Sequence, residues 1–206
     1  MGQLQIIDSA GDADIARWIK DRLAKALART PGPAAITVPG GSTPFPILAE
    51  LVEAPIEWQR ITVWPGDDRI VPESHEASNV GRIRALLEPA GAQIAPLSEN
   101  AMPPHFALAW LGMGSDGHIA SLFPNTDPQA DDAQAVRRLT PDPLPPEAPF
   151  ERLSLTIPAL LDSDDVLFVI RGPDKRAIFN AAVAGANDLP VARLLRAAQQ
   201  DVTCFT

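Results

Sequence analysis

The feature that most limits how this chain can fold is an alternation repeated along its length. Short apolar runs of strand length are each followed by a turn, and between them lie segments whose apolar residues recur at helical spacing. Residues 4–7, 35–38, 61–64, 106–111, 152–157, 166–170 and 202–205 read as strands, the first of them as a short edge strand. Helical spacing appears in Ile15, Trp18, Ile19, Leu23, Ala26 and Leu27, in Ile47, Leu48 and Leu51, in Ile83, Leu86 and Leu87, and in Ile178, Phe179, Ala182 and Val183. Residues 189–198 read as a further helix. Asp12 or Asp14 is expected to cap the first helix. Strands separated by helices are joined by crossovers rather than hairpins, which implies an α/β fold with a largely parallel sheet. No internal repeat divides the chain, so residues 1–206 are expected to form a single domain.

Four strand ends carry the residues with chemistry. Gly40-Gly41-Ser42-Thr43 stands between a strand and a helix that opens at Pro44, a position where the first helical turn tolerates proline. Free N–H groups, two hydroxyls and the positive end of a helix dipole make such a turn a site for a phosphate or carboxylate. No Gly-Lys-Ser/Thr follows, so it is not a P-loop. Asp67-Asp68-Arg69 follows the strand at 61–64, and in open α/β sheets ligands bind at the carboxyl ends of strands. Ser78 or Asn79 can cap the helix after it. The strand at 106–111 delivers the chain to Gly112-Met113-Gly114-Ser115-Asp116-Gly117-His118, where polar residues cluster most tightly and His118 has the credentials of a general base. Gly172-Pro173-Asp174-Lys175 follows 166–170, with Lys175 in the first turn of a helix, where a cation opposes the dipole unless it meets an anion. Residues 127–149, rich in Asp, Ala and Pro, read as a solvent-facing excursion without chemistry.

Charge sharpens this picture. The formal net charge is −9 and the basic residues are scattered, which argues against a nucleic-acid surface and means that an anionic ligand needs a local cluster of cations. Prolines number 22 in 206 residues, about twice the usual 5%, so rigid connections should separate the elements. A single cysteine allows no internal disulfide and suits a reducing cytoplasm, and three scattered histidines provide no metal-ligand motif. No leader-like N-terminal segment or membrane span is expected.

With these residues in place, the segment LGMGSDGHIASLFPN at 111–125 resembles the signature of the 6-phosphogluconolactonase family. That family lies within the wider group of sugar-phosphate isomerases and glucosamine-6-phosphate deaminases. The deaminases share Asp-Gly-His but continue differently, so Ser121-Leu122-Phe123-Pro124 favours the lactonase. Gly40 to Thr43 is similar to the family's phosphate loop, Asp67-Asp68-Arg69 to its Asp-Glu-Arg turn, and Ser78-Asn79 to its Ser-Asn pair. Arg152 resembles the arginine before its Thr-Leu-Thr strand, and Gly172 to Lys175 its Gly-x-x-Lys turn.

The resemblance implies a three-layer Rossmann-like domain that hydrolyses 6-phospho-D-glucono-1,5-lactone in the oxidative pentose phosphate pathway. It makes His118 the catalytic base, with Asp116 or Asp67 orienting its ring and Arg69 or backbone N–H groups stabilising the oxyanion. Gly40, Gly41, Ser42, Thr43, Asp68, Ser78, Asn79, Arg152 and Lys175 would bind substrate and its phosphate. It implies no metal and no cofactor, and a cytoplasmic monomer or weak homodimer whose partner is a small phosphorylated sugar lactone rather than nucleic acid or membrane. A deaminase-isomerase and a non-catalytic sugar-phosphate-binding protein are the alternatives.

Overall fold

The computed structural model describes residues 2–142 and 149–206. Its backbone is a seven-stranded sheet flanked by six α-helices, with a three-stranded sheet beside it. The elements run β1 (Leu4–Ile7), α1 (Asp12–Arg29), β2 (Ala34–Val38), α2 (Pro44–Val52), β3 (Ile61–Pro65), β4 (Asp67–Arg69), α3 (Asn79–Leu87), β5 (Gln93–Ile94) and β6 (Phe106–Leu111). They continue with β7 (Val136–Leu139), β8 (Arg152–Leu155), α4 (Ile157–Leu161), β9 (Asp165–Val169), α5 (Pro173–Val183), α6 (Pro190–Ala197) and β10 (Asp201–Phe205).

The large sheet has the order β1-β10-β9-β6-β2-β3-β5, and every pairing in it is parallel. Period-2 alternation sends successive side chains to opposite faces. In β9, Val166 and Phe168 pack with Phe179 of α5, Val191 of α6 and Leu160 of α4. Leu167 and Val169 belong to the apolar layer on the other face, which also holds Ile15 of α1, Leu48 of α2 and Ile83 of α3. Two apolar layers thus cover the two faces of one sheet, giving three layers and the parallel α/β architecture expected. A register shift between β2 and β6 at Ala35/Ile36 is the one irregularity among those pairings.

The path of the chain determines where a ligand fits. From β2 it crosses to β3 and then β5 on one side, returns to β6 on the other side of β2, and continues to β9 and β10. The order therefore reverses between β2 and β6, the kind of switch point where parallel sheets open a crevice at their carboxyl edge. The small antiparallel sheet, β4-β8-β7, stands over that edge.

Several local expectations are corrected. Asp67–Arg69, likened to a turn, is a strand whose residues pair with Arg152, Leu153 and Ser154. Residues 136–139, expected to face solvent, form β7 with Val136 and Leu139 buried, while residues 143–148 of the same segment lie outside the described residues. The strand expected over 152–157 stops at Leu155, and Pro158 lies in the first turn of α4. The N-cap of α1 is Gly11, whose N–H donates to Asp14 Oδ2 at 3.3 Å; Asp12 is left free for another contact. No helix among the described residues is long and apolar enough to cross a membrane.

Candidate active site

A cleft of about 380 Å³ opens at the switch point. Because β9, β6, β2 and β3 are neighbours and parallel, the turns after all four arrive at one edge. Gly40, Gly41, Ser42 and Thr43 come from the turn after β2, Gly114 and His118 from the turn after β6, and Lys175 from α5 after β9. Asp67 and Arg69 of β4, Arg152 of β8 and Asn79 of α3 complete the predicted residues that line it. Asp116, Asp68 and Ser78 do not line it.

His118 is held by its own turn. Its Nδ1 lies 2.6 Å from Asp116 Oδ1, and its backbone N–H donates to the same oxygen at 3.1 Å. A carboxylate at Nδ1 favours the tautomer of the neutral ring with its proton there, in which Nε2 is the atom that accepts one. Burial pushes the Asp116 carboxyl up, but the hydrogen bond and charge of His118 outweigh it, and its pKa falls below the ordinary carboxylate value. Phe123 lies beside the imidazole, with ring centroids 4.5 Å apart. The glycines here are needed for space: a Cβ on Gly114 would fall 2.2 Å from the His118 ring, and Gly117 has φ +79° with Leu189 against it. Of the two carboxylates considered for orienting His118, Asp116 makes the contact.

Asp67 is engaged elsewhere. Its Oδ2 accepts from Ser121 Oγ at 2.5 Å, while the Ser121 N–H donates to Ser154 Oγ at 3.1 Å. Ser121 therefore ties the His118 turn to the small sheet that carries Asp67 and Arg69. Between His118 and Ser121, Ala120 has φ +49°. That left-handed conformation costs a non-glycine residue about 1 kcal/mol or more and is held by its surroundings. In the sequence Ser121 reads only as part of the segment that separates the lactonase from the deaminases; its role as a tie depends on Ser154 and Asp67, 33 and 54 positions away.

Three residues expected to bind substrate make bonds within the protein that brace the site. Asp68 accepts from the N–H groups of Asn79 (2.6 Å), Val80 (3.1 Å) and Arg69 (2.8 Å) and from Ser78 Oγ (3.2 Å). Its carboxylate thereby satisfies N–H groups at the start of α3, where negative charge is favoured. Burial raises its pKa despite these bonds. Ser78 is the N-cap of α3, its Oγ accepting from Gly81 N–H. Asn79 reaches the cleft wall, but its Nδ2 donates to the Asp67 carbonyl at 2.7 Å and its Oδ1 accepts from Arg69 Nη1 at 2.8 Å. Gly40 is compulsory beside it, since a Cβ there would meet the Asn79 amide at 2.1–2.4 Å.

The cleft's charge contrasts with that of the whole chain. Arg69, Arg152, Arg171 and Lys175 face it against the single carboxylate of Asp67, in a chain of net charge −9. Arg69 and Arg152 are register partners across the β4–β8 pair. Burial pushes the Arg152 pKa down and neighbouring Arg69 adds to the effect, opposed by Asp67 and Asp68. Within the described residues no hydrogen bond engages the Ser42 or Thr43 hydroxyls, and Lys175 has no ion pair. Arg171 was missed from the sequence; its position just before Gly172 was the available signal. No group of three or more His, Cys, Asp or Glu among the described residues is arranged to hold a metal ion.

Fold and cleft together define an α/β protein with a cation-lined crevice and a carboxylate-held histidine at the carboxyl edge of a parallel sheet. A family model described as glucosamine-6-phosphate isomerases/6-phosphogluconolactonase matches residues 9–103 and 88–204. The chain is 37% identical over 220 residues to the 6-phosphogluconolactonase of Pseudomonas aeruginosa, covering 94% of this chain and 91% of that protein. It is 34% identical over 212 residues to that of Mesorhizobium japonicum, covering 93% and 88% respectively. The crystal structure of 6-phosphogluconolactonase from Thermotoga maritima superposes with a TM-score of 0.84 at 25% identity, covering 98% of this chain and 99% of that one. The chain belongs to the glucosamine-6-phosphate isomerase/6-phosphogluconolactonase family.

Proposed function

We propose that this protein hydrolyses 6-phospho-D-glucono-1,5-lactone to 6-phospho-D-gluconate, the activity named for its relatives from P. aeruginosa and M. japonicum. The observation that carries the reading is a histidine held at Nδ1 by Asp116 in a cleft that gathers four cationic side chains. Lactone hydrolysis needs a water made nucleophilic and an oxyanion stabilised, while the phosphate supplies remote binding energy for orientation.

In this mechanism His118 Nε2 takes a proton as water attacks the C1 carbonyl. Arg69, braced by Asn79 and the Ala77 carbonyl, faces the developing oxyanion. Collapse of the tetrahedral intermediate breaks the bond between C1 and the ring oxygen, and the imidazolium returns its proton to the departing alkoxide. The N–H groups and hydroxyls of residues 40–43, with Arg152 and Lys175, hold the phosphate. Asp67 sets the polar wall between His118 and Arg69. Residues 1–206 act as one unit, since both sheets supply the cleft, in the cytoplasm and as a monomer or weak homodimer.

The test is lactone consumption above its spontaneous rate. Catalysed loss of the phosphorylated lactone, without ammonia release from glucosamine 6-phosphate, is the expected result. Ammonia release without lactone turnover would replace this reading with the deaminase, and tight 6-phosphogluconate binding without either activity would make the protein a binder.

A further inference from the structure

Arg171 lines the cleft, yet it has no place in the mechanism above. It ends the run that follows β9, immediately before Gly172, whose φ of +94° turns the chain into α5. Lys175 stands four residues on, in the first helical turn, and faces the same cleft. Two cations at the positive end of a helix dipole repel each other and the dipole, an arrangement that an anion between them would relieve.

A second feature shows that Arg171 is held in position. Its Nη2 donates to Asp12 Oδ1 at 3.0 Å, and its Nη1 donates to the Ala10 carbonyl at 3.2 Å. Both come from the start of α1, far away in sequence. Asp12 is available for this because Gly11 caps the helix and Asp14 makes the reciprocal bond to it. Two of the five guanidinium N–H donors are thus used, leaving three for a ligand. The side chains of Arg171 and Asp12 are 37% and 43% exposed, so their ion pair contributes little to stability by itself. Its consequence is geometric, fixing the guanidinium at the cleft wall.

Four cations line the cleft against Asp67, and once Arg171's ion pair with Asp12 is counted two positive charges remain in excess, the charge of one phosphate dianion. Arg69 and Arg152 enter from the small sheet, while Arg171 and Lys175 enter from the end of β9 and the start of α5.

Resting on the lactonase reading, we propose that Arg171 is a phosphate-binding residue that sets preference for a phosphorylated lactone, and that Asp12 is the positioning residue that holds it there. Arg171 then makes one or two charge-assisted bonds to the phosphate, opposite those from residues 40–43.

The experiment compares steady-state kinetics of Arg171→Ala, Arg171→Lys and Asp12→Asn on 6-phosphogluconolactone and on unphosphorylated glucono-1,5-lactone, with 6-phosphogluconate as inhibitor. The expected result for Arg171→Ala is a KM for the phosphorylated lactone raised about tenfold, the size of one partly exposed charge-assisted bond, with kcat changed much less. The preference for the phosphorylated over the unphosphorylated lactone should fall by the same factor, and 6-phosphogluconate inhibition should weaken in parallel. Arg171→Lys should restore part of the loss. Asp12→Asn should reproduce it partially and add little when combined with Arg171→Ala. Equal losses on both lactones, or an unchanged preference, would overturn the proposal. If the parent hydrolyses neither lactone, the functional reading fails by itself. Arg171 is then judged by calorimetric binding of 6-phosphogluconate: weakening of about tenfold in Arg171→Ala upholds it, and unchanged binding overturns it.

Discussion

Asn79 offers a test of how the cleft is built. The family resemblance makes it a substrate ligand, whereas the structure places both ends of its amide in internal bonds. Asn79→Ala would leave the Asp67 carbonyl without its donor, a loss of about 1–3 kcal/mol for a buried acceptor. It would also remove a charge-assisted bond from Arg69, about 1.5–3 kcal/mol, although Arg69 keeps the Ala77 carbonyl at 3.0 Å. Because Arg69 is only partly released, the lower halves of these ranges apply, giving a net destabilisation of about 3 kcal/mol. For a chain of this size each kcal/mol lowers Tm by about 2–4 °C, so the expected drop is about 6–12 °C. Thermal unfolding followed by circular dichroism, beside lactone kinetics, provides the assay. A loosened Arg69 should lower kcat, with KM changed less. Asn79→Asp, which retains the acceptor for Arg69 but sets an oxygen against the Asp67 carbonyl, should lie between parent and Asn79→Ala. An unchanged Tm together with a large rise in KM alone would refute the bracing role and return Asn79 to the substrate.

Gly114→Ala places a Cβ 2.2 Å from the His118 ring; kcat/KM should fall by about tenfold or more because the imidazole must move, and an unaltered rate would show that the ring tolerates displacement. Asp68→Ala leaves two N–H groups at the start of α3 without their acceptor, and urea unfolding should show a loss of about 2–4 kcal/mol. His105 accepts no role in the cleft, but its ring nitrogens contact Asp162 at 2.7 Å and Asp164 at 3.1 Å, and those bonds raise its pKa. A raised folded pKa makes its contribution to stability complete below the unfolded value of about 6.5 and progressively lost as pH rises through the folded value. The stability difference between parent and His105→Gln should therefore shrink on going from about pH 5.5 to about pH 8.5, and a difference that grows would contradict this ion pair. Burial in β10 pushes the Cys204 thiol up to about 12, so iodoacetamide should label the unfolded chain and leave the native one untouched.

Much of this architecture is legible in the sequence because parallel strands buried on both faces are nearly continuous apolar runs. Val166 to Ile170 and Phe106 to Leu111 announce themselves in that way. The turns after them are legible for the same reason, since a strand's end tells where the next glycines and polar residues will sit. What escaped depends on partners far along the chain. Val136-Arg137-Arg138-Leu139 reads as polar, and only pairing with β8 shows that Val136 and Leu139 point inward. The insertion of β10 between β1 and β9 joins both ends of the chain, which no local pattern records. Within the site, motif letters marked Asp68, Ser78 and Asn79 as substrate-binding residues, with Ser78 or Asn79 also a candidate helix cap. They could not distinguish a side chain that faces a ligand from one that satisfies a helix terminus. Arg171 is the converse case: its place just before Gly172 was the one local signal, and its contacts with Asp12 and Ala10 are needed to explain its position.

The central claim is that His118 activates water at the lactone carbonyl. Its most direct test is the catalysed rate of 6-phosphogluconolactone hydrolysis by the parent and by His118→Ala, corrected for spontaneous opening, with 6-phosphogluconate binding measured on both. The account predicts a fall of about 10²–10⁴ in kcat with product affinity within a few-fold of the parent. A catalysed rate in His118→Ala equal to that of the parent would contradict it.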